Sequence, residues 1–180
     1  MILKVKTKGY LDLKDGRVDI TDPCYNKDVW CRMNAVKVRP GIYRCRYYMG
    51  FSFEEDDKIL CKEREMSPEM IKKMESDCSR RCFVAEIQLK GRSFQLNSRN
   101  WKPFGKICVD AGMAGFFIDK PDFNDEQWDD LWSYIKGQEP SCAYLKPELG
   151  FWTESGYGDG TYEVYAIEED GEIIALKIEF

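Results

Sequence analysis

The chain has 180 residues, 43% hydrophobic and 33% charged, which is enough for one domain, 1–180, with a proper core. Its net charge of −5 and the lack of a basic stripe interleaved with aromatics exclude nucleic acid as an expected partner, because phosphate binding needs clustered Lys and Arg. Histidine is absent, which removes Ser-His-Asp and Cys-His catalysis and the usual zinc and iron sites; an enzyme here would work with carboxylates, lysine, tyrosine or a cysteine thiolate.

No apolar run approaches the roughly 18 residues of a membrane span, and the first residues alternate Lys with Leu and Val without the apolar core of a signal peptide. A cytoplasmic protein is expected. In that compartment the eight cysteines act mainly as small buried hydrophobes. Their spacing forms no zinc motif, so no metal ligands are assigned.

Residues 2–8 alternate as a strand. Lys14-Asp15-Gly16-Arg17 signals a hairpin that pairs Leu13 with Val18 and Leu11 with Ile20. The second strand runs into Thr21-Asp22-Pro23-Cys24-Tyr25, where Pro23 ends the ladder and Asp22 has the chemistry of an Asx turn. Gly41 to Tyr48 reads as a strand, and 54–66 as a loop or exposed hairpin arm. A helix is expected over about 67–79, with Ser67 as N-cap, Pro68 in the first turn and an apolar stripe of Met70, Ile71, Met74 and Cys78. Cys82 to Leu89 alternates as a strand, and Asn97 to Gly105 reads as a loop.

Ile107 to Ile118 is an apolar strand, a small-residue turn and a second apolar strand. Asp110, flanked by Val109 and Ala111, is expected to be partly buried, either bonding backbone amides of the turn at Gly112 or lining a site. A second helix is expected over about 124–136. Asn124 and Gln127 form its capping box, Asp125 and Glu126 suit the positive end of its dipole, and Gly137 stops it. Trp128, Leu131, Trp132 and Ile135 make its docking stripe.

The last thirty residues hold the densest glycine run, Ser155-Gly156-Tyr157-Gly158-Asp159-Gly160. It is either a tightly twisted strand entrance or a ligand-contacting loop with Asp159 as its polar contact. It is not a phosphate loop, because it lacks the Gly-Lys-Ser/Thr ending and a strand follows it. Asp170-Gly171 then signals a two-residue turn that pairs Glu169 with Glu172 and Ile167 with Ile174. That register puts Tyr165, Ile167, Ile174, Leu176, Ile178 and Phe180 on one core face.

The expected fold class is α+β: a mostly antiparallel, strongly bent β-sheet or β-sandwich of about seven to nine strands with two covering helices. Asp22-Pro23-Cys24-Tyr25, Val109-Asp110-Ala111-Gly112 followed by Gly115-Phe116-Phe117, and Ser155 to Gly160 before a terminal hairpin resemble the bacterial family called domain of unknown function 4241, over about 20–180. The resemblance implies no particular activity, substrate or cofactor. It does make Asp22, Asp110 and Asp159 look like a set. Family members carry a longer polar side chain where Met113 stands here, which speaks against a catalytic role at that position.

Three functions fit these features. The first is a binding module for a small molecule or peptide, with Asp22, Cys24, Tyr25, Asp110, Gly112, Trp152, Tyr157 and Asp159 as candidate ligand contacts. The second is a protein-interaction factor of the immunity or anti-defence kind, for which an acidic chain suits a basic partner. The third is a hydrolase working through Asp22, Asp110 and Asp159, alone or around a divalent cation. Cys24 is a further nucleophile candidate, though a thiol without a cationic neighbour is poorly activated.

Overall fold

The computed structural model describes residues 4–50, 62–77, 81–138 and 141–180. Among the described residues, eleven strands form two antiparallel sheets. The larger sheet has the order β1 (Lys4–Leu13), β4 (Gly41–Gly50), β5 (Arg81–Leu89), β11 (Glu172–Glu179), β10 (Gly160–Glu169) and β6 (Lys102–Val109). The smaller runs β3 (Met33–Lys37), β2 (Arg17–Thr21), β7 (Met113–Phe117), β9 (Gly150–Glu154) and β8 (Ala143–Lys146). Leu11, Tyr43, Ile87 and Leu176 from the larger sheet meet Ile20, Phe116 and Phe151 from the smaller in one buried cluster, so the core lies between two layers. This is the α+β sandwich expected, with more strands than the seven to nine anticipated.

The Asp15-Gly16 turn does reverse the chain, with Gly16 N–H donating to the Leu13 carbonyl at 2.9 Å. It does not make a hairpin. β1 pairs with β4, and β2 pairs with β3 and β7, so Leu13 and Leu11 do not face Val18 and Ile20 as expected. A two-residue turn signal reports a change of direction, and here the new direction leads into the other sheet. The same happens at Asp110–Gly112, between β6 and β7, and at Ser155–Asp159, between β9 and β10.

Asp170 and Gly171 both have positive φ, 55° and 78°, and Glu169 pairs with Glu172 as the type I′ turn requires. One step further the register changes. Glu168 pairs with Ile173, Ile167 with Ala175, and Ile174 is left over as a bulge. The faces are therefore exchanged beyond it. Val164, Ala166, Ile173, Leu176 and Ile178 face the central core, whereas Ile167 and Ile174 pack outside with Trp101. Sequence alternation cannot show a bulge, and one extra residue flips every side chain after it.

β6 begins at Lys102, inside the stretch read as a loop. It is an edge strand, where the missing N–H of Pro103 costs no ladder bond.

The helix expected over about 67–79, α1 (Pro68–Asp77), is capped as expected, with Met70 N–H donating to Ser67 Oγ at 3.3 Å. Met70 on its apolar stripe is exposed and Ile71 half-buried. The side chains of Met74 and Cys78, and most of 54–66, fall outside the described residues. The second helix, α2 (Asp125–Lys136), has the full Asn124–Gln127 capping box. Its Leu131 and Ile135 bury against Met113, Phe117, Tyr144 and Trp152 on the outer face of the smaller sheet. No helix among the described residues is long and apolar enough to cross a membrane.

Candidate functional site

The three motifs singled out in the sequence meet in space, around the backbone of the Asp110–Gly112 turn. Asp22 is wholly buried, and its Oδ2 accepts the N–H groups of Asp110 and Ala111, each at 2.7 Å. Its Oδ1 accepts Cys24 N–H at 2.7 Å, the Asx turn expected at Asp22-Pro23. Asp159 Oδ1 accepts Gly112 N–H at 3.2 Å, and the Gly112 carbonyl accepts Ser155 N–H at 2.8 Å. Every donor of the turn is thus used by the chain itself. Gly112 has φ +65°, the left-handed region that lets three successive amides fan out toward two carboxylates.

Asp110 departs from expectation in its burial: a partly buried carboxylate was expected, either bonding backbone amides of the turn or lining a site. Its own carboxylate is exposed, and the amides of its turn are bonded by Asp22 instead. Asp22 comes from a strand that runs straight into the core, so its carboxylate is the one the fold encloses.

The glycine run is a turn and not an extended strand. Gly158 N–H donates to the Ser155 carbonyl at 2.9 Å, and the Gly158 carbonyl accepts both Ser155 Oγ–H at 2.6 Å and Tyr162 O–H at 2.8 Å. Gly156 presses on the backbone of β5, where any Cβ would overlap the Cys82 carbonyl. Tyr157 is 45% exposed, edge-on to Phe83 with the Arg81 guanidinium over its ring. Trp152, also a contact candidate, is fully buried. It packs among Phe117, Tyr134 and Tyr144, with ring centroids 5.7–6.0 Å away, beneath α2. It is a core ring and presents no face to a ligand.

Behind Asp22 lies a set of buried charges that sequence reading missed. Asp19 is buried, and its Oδ2 accepts Arg32 Nη2 at 3.1 Å and Lys120 N–H at 3.0 Å, while its Oδ1 accepts Ala35 N–H at 2.7 Å. Arg32 Nη1 and Lys120 Nζ both donate to the Tyr25 carbonyl, at 2.8 and 3.2 Å. Lys120 Nζ also donates to the Pro121 carbonyl at 2.7 Å and lies 4.2 Å from the Phe123 ring centroid. Burial first, and then the Arg32 charge, pull Lys120 down to about 8. The visible signal was weak: charged residues flanking apolar strands at Asp19 and Lys120, with no spacing to link them.

These contacts pin the loop 24–32 that follows Asp22. Its tip carries Trp30, 89% exposed, which sequence reading also passed over. The loop's far end reaches β6, where Cys108 N–H donates to the Cys31 carbonyl at 3.1 Å. Thr161 stands opposite Cys108 in the ladder. The Trp30 loop, the Asp110 turn and the 155–160 turn therefore form one contiguous end of the sandwich.

Neither reactive-looking side chain of Asp22-Pro23-Cys24-Tyr25 is activated. Burial, and then the hydrogen bond and charge of Asp22, hold the Cys24 thiol well above its ordinary range. Burial pushes the Tyr25 phenol up as well. No three or more Cys, Asp or Glu side chains among the described residues are grouped to hold a metal ion. Among the cavities lined by described residues, one of about 510 Å³ is lined by Phe94, Pro103 and Ile174 among others, and one of about 280 Å³ by Leu13, Ile118 and Pro147 among others. None of the eight candidate residues lines either of them.

No family model, curated protein or solved structure matches the chain.

Proposed function

We propose that the protein is a non-catalytic binding module that engages a protein partner through this end of the sandwich, with Trp30 as the anchor. The carrying observation is an 89% exposed indole on a loop held by buried charges. Tryptophan is one of the residue types enriched among binding hot spots. A loop already fixed by Asp22, Arg32 and Lys120 loses little further freedom on binding.

Two features favour binding over catalysis. Both oxygens of Asp22 are engaged by backbone amides, and the Cys24 thiol is held protonated. Exposed Asp28, Asp110 and Asp159 around the loop suit a basic partner surface. The buried free thiols Cys45, Cys82 and Cys142 fit a reducing compartment, and we read the protein as cytoplasmic.

The test compares wild type with Trp30→Ala. The substitution should change unfolding free energy by no more than about 0.5 kcal/mol, as is usual for exposed sites. Partner retention in a pull-down from host extract should fall by about tenfold or more. A variant that retains the same partners to the same extent would remove Trp30 as anchor. A small-molecule adduct in native mass spectrometry, unaffected by Trp30→Ala, would return the reading to a ligand-binding protein.

A further inference from the structure

We propose that Cys31 and Cys108 are a redox pair that closes to a disulfide when the protein meets a low-molecular-weight disulfide oxidant, tying the Trp30 loop to the edge strand β6. Cys108 N–H donates to the Cys31 carbonyl at 3.1 Å, and the two thiols are near enough that Cys108 helps to raise the Cys31 thiol. A direct backbone bond of this kind places the two residues side by side, as a disulfide between them requires.

The two members differ in access. Cys31 is buried. Cys108 is half-exposed, on an edge strand, with its Sγ 3.6 Å from Thr161 Oγ1. Burial raises the Cys31 thiol above its ordinary range, which leaves Cys108 as the sulfur that meets the oxidant. The Cys108 thiolate attacks the oxidant disulfide and expels one thiol, forming a mixed disulfide. Cys31 then gives up its proton and attacks the Cys108 sulfur, expelling the second thiol. Two protein thiols are oxidised and one small disulfide is reduced to two thiols.

A second contacting pair provides an internal control. The Cys82 and Cys142 thiols also lie near enough to perturb one another, but both are buried in the central core, Cys82 with 1% of its surface exposed. Thiol contact alone would oxidise both pairs, whereas contact with access oxidises only Cys31 and Cys108. The inference is independent of the proposed binding function, since thiol oxidation is read without any partner.

The test incubates the full chain, without denaturant, with oxidised glutathione, followed by alkylation and non-reducing peptide mapping. The Cys31 and Cys108 peptides are expected to lose two hydrogens, retain no glutathione and be joined by one cross-link, Cys31–Cys108, reversed by dithiothreitol. Cys31→Ser should accumulate one glutathione on Cys108, and Cys108→Ser should accumulate none on Cys31 in the same time. Unchanged thiols in the wild type, glutathione that stays on Cys108, or a cross-link at Cys82–Cys142 would each overturn the proposal. If Cys31→Ser fails to fold, the wild-type map alone decides.

Discussion

Two regions of this molecule bury charge, and they do so in opposite ways. At the crossover end, Asp19 and Asp22 spend their oxygens mainly on backbone amides drawn from separate segments: Cys24, Ala35, Asp110, Ala111 and Lys120. On the outer face of the larger sheet, charges meet side chains and one strap. Arg46 Nε donates to the wholly buried Glu86 at 2.6 Å, Tyr48 O–H donates to the same carboxylate at 3.3 Å, and Arg46 Nη2 reaches the Phe94 carbonyl at 3.0 Å. Lys177, bonded to Glu179, stands over the rings of Trp101 and Tyr165 and donates to the Leu96 carbonyl at 3.3 Å. The first arrangement fixes where the chain passes between sheets. The second fastens the 90–101 connection to a sheet already built. A buried carboxylate bonded to many backbones organises topology; a buried ion pair under a strap organises one loop.

The largest effect is expected at Asp22. Asp22→Ala would leave the amides of Cys24, Asp110 and Ala111 without their acceptor, in a site with no solvent access to Asp22. Unsatisfied buried donors cost about 1–3 kcal/mol each, so a loss of about 4 kcal/mol or more is expected in urea unfolding, shared by probes on both sheets. A loss below about 1 kcal/mol would show that the turn does not depend on the carboxylate.

Arg46→Met comes next. Removing one partner of a buried pair costs about 3–5 kcal/mol, because the other charge is stranded. Burial already pushes Glu86 above the usual carboxylate range, against the pull of Arg46, and without Arg46 it should rise further. With the folded carboxyl above its unfolded value, stability falls as pH rises through the gap between them. The variant should therefore recover part of its loss between pH 7 and pH 5 (about the range in which a buried Glu re-protonates), relative to wild type at the same pH values. No recovery on acidification would mean that Glu86 gains another partner.

The two regions were not equally legible. Asp, Pro and Gly punctuate turns, so the sequence marks Asp22-Pro23, Asp110–Gly112 and Ser155–Gly160 clearly, and these do converge. What punctuation does not carry is burial, hence the exposed carboxylate of Asp110 where a partly buried one was expected. Nor does it carry sheet identity, hence the hairpin expected at Asp15-Gly16. The strap region looked ordinary. Glu86 and Gln88 alternate with apolar neighbours as outward residues of a half-exposed strand would, and outward they point. Their burial is created by Phe94, Leu96 and Trp101 from a loop whose path no local pattern encodes. Trp30 was legible in principle, because an indole between Asp28 and Arg32 fits neither a period-2 nor a 3.6-residue apolar pattern.

The smallest effect separates the two regions most sharply. Gln88 holds the strap like a strand partner: its Nε2 donates to the Phe94 carbonyl and its Oε1 accepts Phe94 N–H, both at 3.0 Å. Gln88→Ala removes this pair but leaves Arg46 on the Phe94 carbonyl and Lys177 on the Leu96 carbonyl. The expected cost is about 1 kcal/mol, and it should be local. Hydrogen exchange at the Phe94 amide should quicken by roughly fivefold to tenfold, while amides of β7 and β9 keep their wild-type rates. Uniform quickening across both sheets would show that the strap belongs to the global folding unit, and that buried charge organises this fold in one way and not two.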